Sequence, residues 1–391
     1  MSSLPPIAAL DGIRVLDFST VGPAARCARI LADYGAEVVK IGAPRKGALQ
    51  IEPAYWAYGA GRGTRRIRID LKAREGREAF LRLVGQADVV LESFRPGVAD
   101  RLGVGYADAC RVNERVIYCS TSGYGQTGPA SSWAGHDLDY LALGGFLHTS
   151  GRRADGGPAL PGATIADGAA GGMHAAIAIL AALLRRAHTG RGEFLDVSVA
   201  EGVLSLMALL VDEHLATGAD PGPGHDVLSG RYACYGIYGT RDQKWLAVGA
   251  IEGAFWANLC RALGLERWIA HQYDDAQQDR IRVDLSAAFR ARDRDTWVSE
   301  LAPADTCVAP VLSISEVAQA PQFLARGVIG EVEHPQHGRF RQLAPVLAGT
   351  SRAASVPQLR EAEASDAVPL LRAAGYAAGE IEALLGAGTV A

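Results

Sequence analysis

The stretch IRVLDFSTVGPAARCARILADYGAEVVKI, residues 13–41, decides the fold of this chain. It begins with an apolar run typical of a strand at 13–18. A helix that Pro23 opens follows and ends near Tyr34, and a second apolar run closes the stretch at 36–41. Two strands joined by a helix form a βαβ unit, and the strands of such a unit lie parallel in one sheet. The stretch therefore predicts an α/β fold.

The same alternation continues along the chain. ADVVLESF (87–94) and RVIYCSTS (115–122) are further strand candidates, and each ends near glycines. An apolar helix to about Arg186, the strand FLDVSV (194–199) and a long helix through about His214 come later. Strands alternating with helices predict a Rossmann-like parallel sheet covered by helices, and such a sheet presents its ligand-binding loops at the strand ends.

A Gly- and Pro-rich segment, ATGADPGPGHDVLSG, interrupts this pattern as linkers do. We expect four parts: a large α/β domain (1–215), a linker (216–230), a small α+β domain (231–320) with a strand at KWLAVGAI, and a C-terminal segment (321–391) that returns to the large domain. One domain with a large insertion is equally compatible with a length of 391 residues.

Composition excludes several classes of protein. Charged residues make up 21% of the chain and the formal net charge is −4, which is ordinary for a soluble globular protein and favours neither nucleic acid nor an anionic membrane as partner. The six cysteines form no C-x-x-C pair, so we expect no zinc site, no disulfide scaffold and a cytoplasmic location. The N-terminus does not resemble a signal peptide. The apolar segment 171–184 is shorter than a membrane span and contains His174, so we expect a buried helix and no membrane insertion.

Three titratable residues stand at the ends of apolar strands or loops, among glycines: His136, Asp167 and Glu252. Each has a structural alternative. His136 could satisfy a core hydrogen bond or face solvent, Asp167 could cap the helix that follows it, and Glu252 could be a cap or a surface acid. If His136 and Asp167 faced one substrate from opposite sides, one could remove a proton while the other returned one. A helix starting at Gly168 would favour a developing enolate oxygen.

Basic residues near the first strands have two interpretations. Lys40, Lys72, Arg95 and Arg101 could form a solvated face or could hold a phosphate-bearing cofactor. The run GAGRGTRR (59–66) resembles a dinucleotide fingerprint, but no strand directly precedes it and no acidic residue follows at the expected distance. The sequence therefore argues against NAD binding.

Several motifs, in order, resemble the family III CoA-transferase superfamily over about residues 9–350: LDGIRVLDFSTVGPAA, ILADYGAEVVKI, ESFRPGVADRLGVGY, GYGQTGP, AGHDLDY and TGRGEFLDVSVAEG. Within it the chain most resembles the α-methylacyl-CoA racemase branch. Members of that branch carry a histidine in G-H-D, an aspartate before a Gly-rich helix start and a glutamate after V-G-A-I, which match His136, Asp167 and Glu252. The resemblance implies that the histidine and aspartate are the two bases and that the glutamate supports the histidine.

The resemblance also implies an acyl-CoA substrate, no prosthetic group and an interlocked homodimer, in which Glu252 of one chain reaches His136 of the other. The CoA contacts it implies are Lys40, Ile69, Asp70, Leu71, Lys72, Ser93, Phe94, Arg95, Arg101, Gly135, Asp137 and Tyr140. Two features depart from the racemase pattern. The chain has DGAAGG (167–172) where racemases commonly have D-F-G-G-G, and the helix GMHAAIAILAALL is closer to transferase members.

These features predict a racemase or epimerase of 2-methylacyl-CoA thioesters that inverts C2 by a 1,1-proton transfer through an enolate. The alternative enzyme is a CoA-transferase in which Asp167 is a nucleophile and forms an acyl anhydride, then an enzyme–CoA thioester. A CoA-ester-binding protein without turnover is a third possibility. The sequence does not specify the acyl group, because tertiary packing sets the apolar lining of a pocket.

Overall fold

The computed structural model describes residues 8–44, 61–350, 357–361 and 364–391. The start of the run 59–66 and the residues directly before it lie outside the described residues. Contacts between described residues divide the chain into two compact units. The first contains the chain up to Phe146, Pro161–Val211 and Phe323–Ala391, and the second contains Leu147–Leu160 and Asp212–Gln322.

The first unit is built on a six-stranded sheet. Its strands are β1 (Arg14–Asp17), β2 (Glu37–Gly42), β3 (Arg65–Arg68), β4 (Val89–Glu92), β5 (Ile117–Ser122) and β6 (Phe194–Ser198). They lie in the order β3-β2-β1-β4-β5-β6, and every neighbouring pair is parallel. This is the strand order of the doubly wound Rossmann fold, whose ligands bind where the order reverses, between β1 and β4. The predicted parallel α/β sheet is confirmed.

Helices connect the strands. They are α1 (Gly22–Asp33), α2 (Arg74–Val84), α3 (Val98–Leu102), α4 (Tyr106–Val112), α5 (Asp137–Leu143), α6 (Phe146–Thr149), a π-helical segment (Ala166–Met173) that continues directly into α7 (His174–Thr189), α8 (Val199–Leu206) and α9 (Ala208–Thr217). The predicted long helix through His214 is thus two helices, because Met207 lies between α8 and α9.

Helices cover both faces of the sheet, so its strands are apolar on both sides. Val15 and Leu16 are neighbours in β1 and both are fully buried, but they belong to different apolar clusters. Leu16 packs with Phe80 of α2 on one face, while Val15 packs with Ile179 of α7 on the other. This double burial explains why the strand reads as a continuous apolar run.

The helix that contains 171–184 is longer than the sequence predicts. The π-helical segment and α7 together run from Ala166 to Thr189, and among the described residues this one helix is long and apolar enough to cross a membrane by length and composition. Ala175, Ala176 and Ile179 pack in the apolar cluster of the sheet, as a core helix does. The prediction that this apolar segment is too short to span a membrane is therefore wrong for the helix as a whole. The predicted burial holds for one side of the helix.

The second unit has an antiparallel sheet of β7 (Tyr235–Gly239), β8 (Trp245–Gly249) and β9 (Val308–Pro310). Its helices are α10 (Gly253–Ala262), α11 (Gln278–Phe289), α12 (Arg294–Leu301) and α13 (Ile314–Val317), with 3₁₀ turns at Val227–Ser229, Glu266–His271, Asp275–Gln277 and Ala302–Ala304. Trp256, Phe289 and Trp297 fill its core. Antiparallel strands with packed helices give this unit an α+β character.

The last part of the described chain holds α14 (Pro321–Ala325), the antiparallel hairpin of β10 (Ile329–His334) and β11 (Gly338–Leu343), α15 (Ala367–Ala373) and α16 (Ala378–Gly386). The chain thus ends with a pair of short helices. Beyond α16 the chain returns to β3 of the sheet, where the Arg68 N–H donates to the Ala391 carbonyl at 2.8 Å and the Asp70 N–H to the Thr389 carbonyl at 2.8 Å.

Candidate active site

A cavity of about 470 Å³ opens at the carboxyl ends of β1, β4 and β5. Its lining includes Val21–Pro23 after β1, Ser93–Pro96 after β4, and Thr121 and Ser122 at the end of β5 with Gly123 directly after them. His136 and Asp167 line the same cavity. The cavity therefore lies where the strand order reverses, and it contains the acid–base pair that the sequence predicts.

His136 occupies the position just before helix α5. Its backbone N–H donates to the Asp139 carboxylate at 2.8 Å, and its carbonyl accepts the Asp139 N–H at 2.9 Å. These two bonds fix the backbone of His136 and leave the imidazole exposed at the cavity wall. The alternative of a buried core histidine is wrong, and the apparent loop is the start of a helix.

Asp167 lies inside the helix rather than in front of it. The helix begins at Ala166, and Ile165 holds the capping position. The prediction that Asp167 caps a helix starting at Gly168 is thus wrong by two residues, because the π-helical turns extend the helix toward the N-terminus. The Asp167 N–H donates to Asp137 Oδ1 at 2.8 Å. The hydrogen bond joins the start of α5 to the first turn of this helix and places His136 and Asp167 in one site.

The glycines after Asp167 allow close helix packing. A Cβ on Gly172 would lie 2.6 Å from the Cβ of Arg26 in α1, which is closer than carbon atoms approach. Gly168 differs, since a Cβ there would meet no atom within 4 Å. A side chain at position 168 would therefore meet open space in this chain.

Opposing charges surround the Asp167 carboxylate. Burial raises its pKa above the usual range, and the nearby Asp137 carboxylate raises it further, while Arg26 and His136 act in the opposite direction. The Arg26 side chain also donates to Thr164 Oγ1 at 3.3 Å, three residues before Asp167. Arg26 was not predicted as a site residue from the sequence, although a charged residue in the apolar helix ARCARILA is a signal that could have indicated it.

The aromatic side chains of Trp133 and Tyr140 form another part of the cavity wall, and Tyr124 packs against both from outside the lining. Tyr124 packs edge-on against Trp133, with ring centroids 5.8 Å apart, and against Tyr140, at 5.2 Å. Burial raises the pKa of Tyr140 to about 12, so its hydroxyl stays protonated at neutral pH and donates to the Gly135 carbonyl at 2.5 Å. Trp133 is 57% exposed at the rim of the cavity. This wall offers apolar contact area to an acyl chain.

The structure brings only part of the predicted CoA contacts to this cavity. Those that line it are Ser93, Phe94, Arg95, Gly135 and Tyr140, and Asp137 lies next to it through its bond to Asp167. The Lys40 ammonium lies 2.5 Å from the buried Asp17 carboxylate and 3.2 Å from the Ser19 carbonyl. The Lys40 side chain is therefore already paired with an anion. It would have to contact CoA in addition to this partner or in its place.

The remaining predicted contacts lie outside the lining of this cavity. Ile69 is buried and pairs with Val390. The Asp70 carboxylate accepts the Lys72 N–H at 3.0 Å, and Leu71 packs against the core. Arg101 is exposed on α3. Their part in CoA binding stays a prediction.

Glu252 belongs to the second unit. It precedes helix α10 with an exposed side chain, and that side chain makes no capping hydrogen bond. It occupies the capping position that the sequence suggests but does not use its carboxylate as a cap. Its support of His136 from another chain stays a prediction.

One further carboxyl near the cavity was not singled out from the sequence. Glu92 ends β4 directly before Ser93, is 4% exposed and has a pKa raised to about 7 by burial. Among the described residues, no group of three or more His, Cys, Asp and Glu side chains could hold a metal ion.

The sheet order and the cavity at its reversal point define a doubly wound α/β protein with a ligand site built around a histidine and an aspartate. The pattern of CoA-transferase family III matches residues 10–360. The chain belongs to this family, and the resemblance drawn from its motifs is confirmed.

Known relatives include both racemases and transferases. The chain is 35% identical to alpha-methylacyl-CoA racemase of Homo sapiens over 82% of each chain. It is 30% identical to acetyl-CoA:oxalate CoA-transferase of Acetobacter aceti over 83% of this chain and 86% of the relative. A crystal structure of a CaiB/BaiF family protein from Brucella suis has a TM-score of 0.73 at 28% identity and covers 89% of this chain and 96% of that chain. The family is enzymatic and acts on CoA substrates, but these identities do not resolve the reaction.

Proposed function

We propose that this chain is a racemase or epimerase of 2-methylacyl-CoA thioesters. The observation that carries the proposal is the presence of His136 and Asp167 in one cavity. A thioester carbonyl acidifies the neighbouring α-C–H bond. One of the two groups removes the α-proton to give an enolate, and the other delivers a proton to the opposite face, so that C2 is inverted.

The surroundings of each group suit this exchange. The pKa of Asp167 is raised by burial, which brings the carboxyl closer to the range in which it can both accept and return a proton. The His136 imidazole lies at the wall of the same cavity, where it can act as the second proton donor or acceptor. The helix Ala166–Thr189 begins one residue before Asp167, and the partial positive charge of its first turn favours an enolate oxygen over a neutral carbonyl.

The cavity also has features that suit the CoA part of the substrate. Arg95 supplies a guanidinium, which binds phosphate oxygens well, and Ser93 lies in the same loop. The proposal needs no prosthetic group, because the residues supply both proton donors and acceptors. Following the racemase resemblance, we include in it an interlocked homodimer in which Glu252 of a second chain supports His136.

The test is incubation of the purified protein with one epimer of a 2-methylacyl-CoA in heavy water. We expect deuterium at C2 together with formation of the second epimer, followed by mass spectrometry and chiral chromatography. Asp167→Asn, which preserves shape, should stop formation of the second epimer and should lower deuterium uptake most for the epimer whose α-proton faces Asp167. If several acyl chains are tried and neither deuterium at C2 nor the second epimer is found, the proposal is refuted.

CoA transfer is the second candidate, because CoA-transferases are among the relatives at 30% and 32% identity and Asp167 places a carboxylate nucleophile in the cavity. In this reaction the carboxylate attacks the thioester carbonyl, CoA leaves as thiolate and an acyl anhydride with the enzyme forms. His136→Ala separates the two candidates, since racemisation requires the imidazole and transfer through Asp167 does not. Passage of CoA between two carboxylic acids by the His136→Ala variant, with a hydroxylamine-trapped acyl-enzyme, would establish transfer.

A further inference from the structure

Glu92 is a buried carboxyl that the proton-transfer chemistry does not use. It is the last residue of β4, and its Oε2 accepts the N–H of Phe94 at 2.5 Å. The Ser120 hydroxyl of β5 donates to the same carboxylate, and the Ser120 oxygen accepts the Gln126 side-chain N–H at 2.9 Å. Glu92 thus connects the loop after β4 with the loop after β5.

Both loops belong to the site. Ser93, Phe94 and Arg95 line the cavity that holds His136 and Asp167. The backbone of Glu92 joins the same network, since its carbonyl accepts the Thr121 hydroxyl at 3.1 Å. A second cavity, of about 260 Å³, is lined by Glu92 and Arg95, so that Arg95 borders both cavities. A change at the Glu92 carboxylate therefore acts on backbone that forms the wall of the site.

The charge state of Glu92 is sensitive to pH in the neutral range. Burial and, to a smaller extent, the Asp100 carboxylate of α3 raise the pKa of its carboxyl to about 7, against the opposing effects of Ser120 and the Phe94 N–H. The other titratable groups on this side are Tyr106 of α4 and Arg95, which line the second cavity with Glu92, and Tyr118 and Cys119 of β5. Burial raises the pKa of Tyr118 and Cys119 far above neutrality, so neither ionises in this range.

We propose that Glu92 is a positioning residue for the binding of the CoA thioester. Its ionised carboxylate holds the Ser93–Arg95 loop through the Phe94 N–H and fixes the loop after β5 through Ser120. Protonation removes the charge that strengthens both hydrogen bonds, so the loop loosens and CoA binds more weakly. This inference rests on the proposed function for its ligand, but it concerns binding and not proton transfer.

The experiment measures the dissociation constant of free CoA by calorimetry from pH 5.5 to 8.5. The proteins are the wild type, Glu92→Gln and Asp100→Asn. We expect Glu92→Gln to bind CoA about tenfold more weakly than the wild type at pH 8.5, since the strengthening of two hydrogen bonds is lost. We expect the affinities of the two proteins for CoA to become similar at pH 5.5, where Glu92 of the wild type is protonated. All titrating groups other than residue 92 are common to both proteins, so the difference between the profiles belongs to Glu92.

Asp100→Asn provides a matched second variant, because Asp100 is exposed and its charge raises the pKa of Glu92. It should keep the tight binding but move the loss of affinity to lower pH. Circular dichroism shows whether Glu92→Gln folds. If it does not, the shift of the CoA-binding profile in Asp100→Asn still tests whether Glu92 positions the loop.

Two outcomes would overturn the inference in distinguishable ways. If the wild type and Glu92→Gln bind CoA equally at all pH values, or if Asp100→Asn leaves the pH profile unchanged, Glu92 does not position the loop and the proposed function stands. If the wild type binds no CoA at any pH, the proposed function fails and the inference fails with it.

Discussion

Replacing Glu92 by Gln gives a stability prediction with a magnitude that follows from the structure. Burial raises the pKa of this carboxyl from 4.5 to about 7. The folded protein therefore binds the proton more tightly than the unfolded chain, and this contribution to stability is complete below pH 4.5 and is lost as the pH rises through 7. A difference of about 2.5 pH units corresponds to about 3 kcal/mol. Glutamine stays neutral and does not show this loss.

The assay is urea unfolding of the wild type and of Glu92→Gln between pH 4 and pH 8.5, followed by circular dichroism. The free energy of unfolding of the variant relative to the wild type should rise by about 3 kcal/mol across this range. The hydrogen bonds that the substitution alters add an offset that is present at every pH. All other titrating groups are common to both proteins and cancel in the difference. If the difference in the free energy of unfolding between the two proteins is the same at pH 4 and pH 8.5, Glu92 is not a buried carboxyl with a pKa raised to about 7.

Three further substitutions test the site and its packing. Arg26→Gln should raise the pKa of Asp167 and move the acid limb of the deuterium-exchange profile to higher pH, whereas Asp137→Asn, which keeps an oxygen acceptor, should move it to lower pH. Movement in the same direction would contradict the charge arrangement. His136→Ala should lower exchange about 10²- to 10⁴-fold, and more for one epimer than the other, and equal rates on both epimers would exclude a one-face role. Gly202→Ala should destabilise the protein by about 1–3 kcal/mol in thermal unfolding, because its Cβ would lie 2.0 Å from a backbone carbonyl oxygen of the π-helical segment, and an unchanged melting temperature would contradict this packing.

The elements that the sequence predicts well are those with a strong local pattern. The βαβ unit at 13–41 is present as β1, α1 and β2, because apolar periodicity and Pro23 act within a few residues. Strand β3 is different. Its sequence is RRIR, with three arginines in four residues, and it becomes a strand by pairing with β2 at the edge of the sheet. No local pattern in such a charged segment indicates a strand.

The start of the helix at Ala166 shows the same limit. A capping residue is recognised by its side-chain type, so the sequence predicts that Asp167 precedes the helix. In the structure the helix gains earlier turns through π-type hydrogen bonding and packing on α1, where Gly172 allows Arg26 to approach. Contacts with a distant part of the chain thus move the boundary that local chemistry suggests.

The sequence by itself determined the parallel α/β fold and the identity of His136 and Asp167 as candidate acid–base residues. Both conclusions rest on residue types and patterns that are complete within short segments. Only the tertiary structure decided that the two residues share one cavity and that Arg26 and Asp137 change the pKa of Asp167 in opposite directions. It also decided that Glu92 is a buried carboxyl with a pKa raised to about 7. A pKa depends on burial and on charges within a few ångströms, and folding brings these together from segments that are far apart in the chain.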